Sequence, residues 1–257
     1  MPAPAPLIGN APNAGFVSSM PVNTLPPSGG KSKTKLIAAV AVVAVLIVGV
    51  ALAVTLVGGK GGSPKYKDSD LTTVSTNAYS VSIPKQWTDS SSDQSLLKKY
   101  QISADSFQNI KMYTYGYNQK TGSIQSVYIV ADQVTDVTDE QMRTVLQDPQ
   151  RRALFESTYS AIMDSVGKSA ECASSENKTT TYKYDTNGYV VLVDAELDCI
   201  LTPAVAKIAG DPSAHYVMKI GIANSKTYIV LLASVKSDWQ KNSDFYKQKV
   251  MNGFKPQ

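Results

Sequence analysis

The sequence predicts an α+β domain, an antiparallel β-sheet with covering helices, preceded by one transmembrane helix. Three observations predict it: an uncharged apolar run, pairs of strand-like segments joined by turn motifs, and amphipathic helical segments between and after those pairs. Hairpins interrupted by helices favour an antiparallel sandwich over alternating parallel βαβ units. We divide the chain into a disordered tail (1–35), a transmembrane helix (36–57), a flexible linker (58–76) and an extracytoplasmic domain (77–257).

The tail and the apolar run differ sharply in composition. The first 30 residues are uncharged and proline-rich, without hydrophobic periodicity, and such a segment does not recover the entropy cost of ordering. A proline-rich ligand for an aromatic groove is the alternative to a plain tether. From Leu36 to Val57 no residue is charged, and at about 1.5 Å per residue this run spans a bilayer core of roughly 30 Å. The lipid bilayer is therefore the first predicted partner.

Lysines set the predicted orientation of this helix. Lys31, Lys33 and Lys35 lie just before it, whereas Lys60 alone follows at once; counted as far as Lys67, the two sides tie. The immediate flank favours a cytoplasmic N-terminus and an extracytoplasmic domain in the cell membrane.

Charge and cysteine content argue against nucleic-acid binding and against a cysteine metal site in the domain. Beyond the apolar run, basic and acidic residues nearly balance and are interspersed, so the basic stripe of a nucleic-acid-binding protein is missing. Cys172 and Cys199 belong to no metal-binding motif. A disulfide is their simplest use, and two buried free thiols are the alternative.

The linker, 58–76, is rich in glycine, serine and charge, and the predicted fold begins after it. In AYSVSIP, Tyr79, Val81 and Ile83 share one face of a strand that Pro84 ends. Strand-like runs over 110–118 and 123–134 follow, joined by QKTG with Gly122 as the turn residue.

Two helices are predicted next. Thr138 and Gln141 form a capping box ahead of apolar residues at helical spacing, and Pro149 suits the first turn of a second helix that Gly167 ends. One side of the second helix is apolar and is predicted to cover the sheet: Phe155, Tyr159, Ile162, Met163 and Val166.

The remaining chain predicts two further hairpins and a last helix. DTNG joins TTTYKYD to GYVVLVDAELDCIL, and ANSK joins HYVMKIGI to TYIVLLASV. Trp239, Tyr246 and Val250 then share a helical face, with Gly253 predicted as the cap.

Two segments carry a resemblance to a known family. NAYSVSIPKQW (77–87) resembles the aromatic-strand-Pro-x-x-Trp opening of PsbP-like domains, and FYKQKVMNGFKPQ (245–257) resembles their closing helix and phenylalanine. The resemblance implies an α/β sandwich with this order of elements. It also implies a binding or assembly role, because that family consists mostly of binding and assembly domains, and it transfers no catalytic residue.

Motifs for catalysis or metal binding are absent from the sequence. The sole histidine, His215, follows DPSA at the start of a predicted strand, where an edge or loop position is common, and no GxSxG motif accompanies it. DQVTDVTDE carries Asp132, Asp136, Asp139 and Glu140 without the glycine of a calcium loop, so we interpret it as the solvated start of a helix. We predict no catalytic residue, no metal site and no cofactor.

Tyrosines supply the one candidate binding surface. Alternation along a strand sends Tyr113, Tyr115 and Tyr117 to one side, and Tyr182 with Tyr184 repeats the pattern. Such a stripe is either cross-strand packing or an exposed platform for a glycan or a partner chain.

We therefore predict a membrane-anchored, extracytoplasmic binding or assembly domain without catalytic activity, whose partner is an envelope protein or glycan. Two alternatives remain. One is a cell-envelope hydrolase with an unrecognised pair of carboxylates. The other is a structural subunit that assembles through its transmembrane helix, in which Gly49 and Ala53 form a small-xxx-small pair.

Overall fold

The computed structural model describes residues 64–99, 107–118, 124–168 and 172–257. The predicted tail, the predicted transmembrane helix of 36–57 and the QKTG turn with Gly122 lie outside these residues. Among the helices that the structure describes, none combines the length and apolar character that a membrane span requires.

Strands and helices follow one another in an order close to the predicted one. The strands are β1 (Leu71–Ser75), β2 (Tyr79–Pro84), β3 (Thr88–Asp89), β4 (Gln108–Tyr115), β5 (Ser126–Val134), β6 (Cys172–Thr186), β7 (Tyr189–Leu201), β8 (Ser213–Ala223), β9 (Lys226–Val235) and β10 (Lys255–Pro256). The helices are α1 (Gln94–Lys99), α2 (Asp139–Gln147), α3 (Pro149–Gly167), α4 (Pro203–Ala209) and α5 (Lys236–Phe245), and a π-helical turn, Tyr246–Met251, continues α5.

Antiparallel pairing organises the described strands into two sheets. The larger has seven strands in the order β3-β4-β5-β9-β8-β7-β6, and the smaller has the order β1-β2-β10. Every neighbouring pair is antiparallel. The predicted α+β class with an antiparallel sheet is confirmed.

Each face of the larger sheet packs against a different layer. On one face, Met142 and Leu146 of α2 and Phe155 of α3 pack against the inward side chains of β5 and β7–β9. On the other, β2 of the small sheet and Trp239 of α5 pack against the opposite side chains of the same sheet. The result is a three-layer arrangement, because alternate residues of one strand serve two cores.

Three local motifs of the sequence adopt the structures predicted for them. The hydroxyl of Thr138 accepts from the backbone N–H of Gln141, whose side chain accepts from the N–H of Thr138, and α2 begins after this capping box. In ANSK, Asn224 and Ser225 adopt φ of +54° and +55°, the geometry of a tight hairpin turn. Pro149 opens α3 as predicted.

Two predictions at the ends of the domain were wrong. Part of the predicted linker is folded: Tyr66 is buried, and Leu71–Ser75 pair with β2 as an edge strand. Leu71 and Val74 are half-buried and the other three residues of that strand are exposed. The strand therefore shows little hydrophobic alternation in the sequence. Gly253 does not cap a helix with a positive φ; it allows a close approach instead, because a Cβ there would lie 2.3 Å from the carbonyl oxygen of Lys249.

Candidate functional site

The predicted tyrosine platform is not an exposed surface. Tyr113 is 4% exposed within one core, and Tyr115 packs half-buried against the same core. Tyr117 packs instead against the core on the opposite face of the sheet. Gly116, with φ of +66°, separates it from Tyr115, which accounts for the broken alternation. These three residues pack against the two cores, which favours the packing alternative over an exposed platform.

The second pair of tyrosines lies beneath helix α3. The hydroxyl of Tyr182 donates to the backbone oxygen of Glu156 at 2.5 Å, and that of Tyr184 donates to Oε1 of the same residue at 2.6 Å. Tyr182 and Tyr184 therefore attach α3 to the edge strand β6.

The cysteines form the predicted disulfide. Cys172 and Cys199 are bonded to each other, with 5.4 Å between their Cα atoms, and the bond joins edge strand β6 to its neighbour β7. The free-thiol alternative is thereby excluded.

One acid of the run 132–140 is not solvated. Asp132 is fully buried at the end of β5, accepts from Nδ2 of Asn109 at 2.9 Å, and lies 3.4 Å from Nζ of Lys226. Asp139 accepts from the backbone N–H groups of Asn224 and Ser225 and so holds the β8–β9 turn. Among the described residues no group of three or more His, Cys, Asp or Glu is placed to hold a metal ion.

We predicted an edge or loop position for His215, and this was wrong. His215 lies within β8, between β7 and β9. It is 7% exposed, and its ring stacks on Trp239 of α5 with 3.8 Å between ring centroids. Its Nδ1 lies 2.7 Å from Oδ1 of Asp198, and its Nε2 lies 3.5 Å from Oε2 of Glu196. Nζ of Lys247 lies 2.7 Å from the same Glu196 oxygen.

This arrangement opposes acid–base catalysis by either carboxylate. The imidazole of His215, 3.5 Å away, and the ammonium group of Lys247 lower the pKa of Glu196 to about 2. Burial would raise the pKa of Asp198, but hydrogen bonds with Asn177 and His215 outweigh it and the pKa is lowered. A general acid needs a pKa near the working pH, so neither group fits that role at neutrality. Both imidazole nitrogens face carboxylates, and Lys247 pairs with Glu196, so the cluster links the sheet to the helical segment.

A concave pocket lies where α2 meets α3 beside the β6–β7 turn. Its volume is about 300 Å³. Its walls combine two arginines with a tyrosine, an acid, an amide and three aliphatic residues: Arg143, Leu146, Gln147, Pro149, Arg152, Tyr184, Asp185 and Val190. Three elements of the fold therefore converge on one cavity that offers both charge and apolar surface.

Both arginines of this pocket are held by neighbouring carboxylates. Nε of Arg143 donates to Oδ1 of Asp185 at 2.8 Å, and Nε of Arg152 donates to Oε1 of Glu156 at 3.1 Å. The Arg152 guanidinium also lies over the Tyr184 ring, 3.8 Å from its centroid. Burial raises the pKa of Tyr184 to about 12, so its hydroxyl stays a neutral donor at physiological pH.

Sequence reasoning missed this pocket, although it named Tyr184. The arginines and the β6–β7 turn are some forty residues apart, as the Arg143–Asp185 pair shows, and only the tertiary fold joins them. One signal was present: all three arginines of the chain, Arg143, Arg151 and Arg152, flank Asp148-Pro149. Arginine is the side chain best suited to bind planar anions, so its concentration at one helix junction indicates such a site.

Comparison with known proteins assigns no family: no protein family and no curated protein matches the sequence. Similar solved structures include cyanobacterial PsbP from Synechocystis sp. PCC 6803, with 10% identity, a TM-score of 0.40, and coverage of 78% of this chain and 100% of that one. A protein of unknown function from Pseudomonas aeruginosa, PA94, a putative regulator by its description, has 11% identity, a TM-score of 0.34, and coverage of 69% and 92%. The Saccharomyces cerevisiae Ran-binding protein Mog1p has 8% identity, a TM-score of 0.36, and coverage of 72% and 94%.

A PsbP is thus among the structures that this chain is similar to. At TM-scores of 0.40 or below, we base no assignment of family or function on these similarities. The α+β class rests on the strands and helices themselves, and a function has to rest on the site.

Proposed function

We propose that this chain is a membrane-tethered, extracytoplasmic binding domain without catalytic activity, whose partner is an envelope protein or glycan. The observation that carries the binding role is the pocket of about 300 Å³ whose arginines are held in place by neighbouring side chains. A cavity with an apolar wall and a few convergent polar groups is the usual form of a ligand site.

The tether is supported by the sequence and by the way the domain begins. Between Val57 and Pro64 the chain can extend no more than about 3.6 Å per residue, or roughly 25 Å, so the first folded residues lie close to the end of the proposed membrane helix. Asn242 of α5 fixes that beginning, because its Nδ2 donates to the oxygen of Pro64 and its Oδ1 accepts from the N–H of Tyr66. A disulfide that persists suits an oxidising, extracytoplasmic compartment.

Cysteine labelling of the full chain in intact bacterial cells tests the tether and its orientation. Gly62→Cys and Lys255→Cys should react with a membrane-impermeant thiol reagent, since both positions follow the proposed membrane helix. Ser18→Cys, the control, should react only after permeabilisation. The wild-type chain, whose cysteines are bonded to each other, gives the background. Labelling of Ser18→Cys alone in intact cells would reverse the orientation and overturn the proposal.

A hydrolase is the second candidate, and the contact of 2.7 Å between His215 and Asp198 favours it, because a carboxylate orients the histidine of many hydrolases. The test is turnover of ester and peptidoglycan substrates by the full chain in detergent. We expect no turnover that depends on His215. Activity that is present in the wild type and abolished in His215→Asn would replace the binding proposal.

A further inference from the structure

We infer that the pocket between α2, α3 and the β6–β7 turn binds the carboxylate of a peptide-like ligand that bears an aliphatic side chain. This inference rests on the proposed binding function and specifies its chemistry. Four features of the pocket carry it: the fixed arginines, their remaining donors, the balance of charge, and the apolar wall.

The arginines are positioned before any ligand arrives. Arg152 is held from two directions, by the Glu156 carboxylate along its Nε edge and by the Tyr184 ring beneath its plane. Tyr184 is itself held, because its hydroxyl donates to Glu156. Arg143 is held by Asp185, which follows Tyr184 on the same strand. A site that is organised in advance loses less side-chain entropy when it binds.

Donors remain after these internal contacts. A guanidinium has five N–H groups, and the hydrogen bonds of Arg143 and Arg152 to carboxylates described above each use Nε. The next carboxylate of Arg143, Glu140, lies 3.9 Å from Nη1, beyond hydrogen-bonding distance. The Nη groups are thus the donors available to a planar anion, which arginine binds in a forked, two-point manner.

The charge around the pocket disfavours a dianion more than a monoanion. Its walls carry two guanidinium groups and one carboxylate, that of Asp185. Glu140 and Glu156 lie beside the same two arginines from outside the wall, so three carboxylates surround two guanidinium groups and no net positive charge remains. The C-terminus of α2 and the N-terminus of α3 meet here, so their opposite dipoles largely cancel. A carboxylate, with one charge, matches this field better than a phosphate with a charge near −2.

Beside the amide of Gln147 and the ring of Tyr184, the rest of the wall is aliphatic. Leu146 and Val190 are 8% and 1% exposed, and Pro149 adds a third apolar surface. A volume of about 300 Å³ lies at the small end of ligand pockets, which fits one terminal residue of a peptide better than an extended chain.

Isothermal titration calorimetry of the full chain in detergent tests this assignment. The probe is N-acetylleucine, which has a carboxylate and an aliphatic side chain. N-acetylleucinamide, its neutral twin, should bind at least tenfold more weakly, and inorganic phosphate more weakly than N-acetylleucine. Arg143→Gln and Arg152→Gln should each weaken binding of N-acetylleucine at least fivefold. Arg143→Lys, which keeps the charge but loses the fork, should lie between.

Arg151→Gln is the matched control, because Arg151 lies next to Arg152 on α3 but is not part of the pocket wall. Its guanidinium pairs with Asp148 instead. It should bind like the wild type, and all variants should keep the wild-type unfolding midpoint within about 2 °C. Absent binding of N-acetylleucine, equal binding of the amide, tighter binding of phosphate, or wild-type affinity in both glutamine variants would overturn the inference. If the titration fails in one of these ways but the cysteine labelling gives the expected result, the tethered domain still stands. If N-acetylleucine binds saturably but the labelling is reversed, only the proposed function is overturned.

Discussion

Asp238 shows how much one residue contributes to the attachment of α5. Its side chain is 2% exposed, and its two oxygens accept from Nδ2 of Asn242 at 2.8 Å, the hydroxyl of Tyr246 at 2.8 Å and the hydroxyl of Ser234 at 2.7 Å. The hydroxyl of Ser126 donates to it as well. One carboxylate therefore satisfies buried donors from two strands, a helix and the π-helical turn.

Asp238→Ala should destabilise the domain by about 3 kcal/mol. The substitution leaves several buried donors without an acceptor, and each unsatisfied buried group costs about 1–3 kcal/mol unless water enters. Urea unfolding followed by circular dichroism measures the loss. Asp244→Ala, at an exposed position of the same helix, should change the free energy of unfolding by less than about 0.5 kcal/mol. Equal stability of the two variants would contradict the role given to Asp238.

The carboxylate of Glu196 makes the free energy of unfolding depend on pH in the acid range. Its pKa is lowered to about 2, chiefly by the neighbouring imidazole of His215, from a usual value of 4.5. The unfolded chain therefore binds more protons in this interval, so the contribution is complete above about pH 4.5 and is lost as the pH falls through about 2. Since the side chain is 29% exposed, solvent screening leaves about 2 kcal/mol.

Glu196→Gln should flatten the pH profile in that interval. The measurement is the free energy of unfolding in urea between pH 2 and 7 for both chains. The difference between them should be largest at neutrality and shrink toward pH 2. A difference that stays constant across this range would show that the carboxylate has no such linkage.

Elements differ in how far the sequence alone predicted them. The capping box at Thr138 and the turn at Asn224 are local, because every atom that stabilises them lies within a few residues. Strand β1 is not local: it exists through pairing with β2, and three of its five side chains are exposed. The polar edge strand of a small sheet leaves almost no periodic pattern, which is why it was assigned to the linker.

The disulfide is a prediction at the scale of the β6–β7 hairpin. Cys172 and Cys199 are separated by 27 residues, and closing a loop of that length restricts the unfolded chain by about 3 kcal/mol in the chain-entropy model. A Cys172→Ser/Cys199→Ser chain should lose about that much stability in urea. Adding a thiol reductant should lower the stability of the wild type toward the double variant and leave the variant unchanged. A reductant effect of equal size on both chains would refute a stabilising role.

At the scale of the whole molecule, sequence predicted the class but not the order of strands or the site. Alternation in β7 shows that both of its faces are used, yet it cannot say that Asp198 meets His215 or which layer covers which face. The pocket depends on three elements meeting at one corner. No pattern within the arginine-bearing helices indicates that Tyr184 and Asp185 will lie beside them.

The boundary of the domain gives the last prediction. Tyr66 is 5% exposed, its hydroxyl accepts from Nε1 of Trp87 at 3.0 Å, and its ring lies 5.4 Å from that of Phe245 and 5.9 Å from that of Tyr246. β1 then adds five paired positions to β2. The segment before Asn77 is therefore part of the fold, although the sequence suggested a flexible linker.

A chain beginning at Asn77 should unfold at least about 10 °C below one beginning at Pro64. Removal of a buried aromatic side chain alone costs about 3–5 kcal/mol, and loss of β1 exposes a face of β2 as well. Tyr66→Phe in the longer chain is the control: it keeps the ring and gives up one hydrogen bond, worth about 1 kcal/mol. Thermal unfolding by circular dichroism compares the three. If the two chains unfold at the same temperature, Tyr66 and β1 do not stabilise the domain. The stable domain would then begin at Asn77, as the sequence predicted.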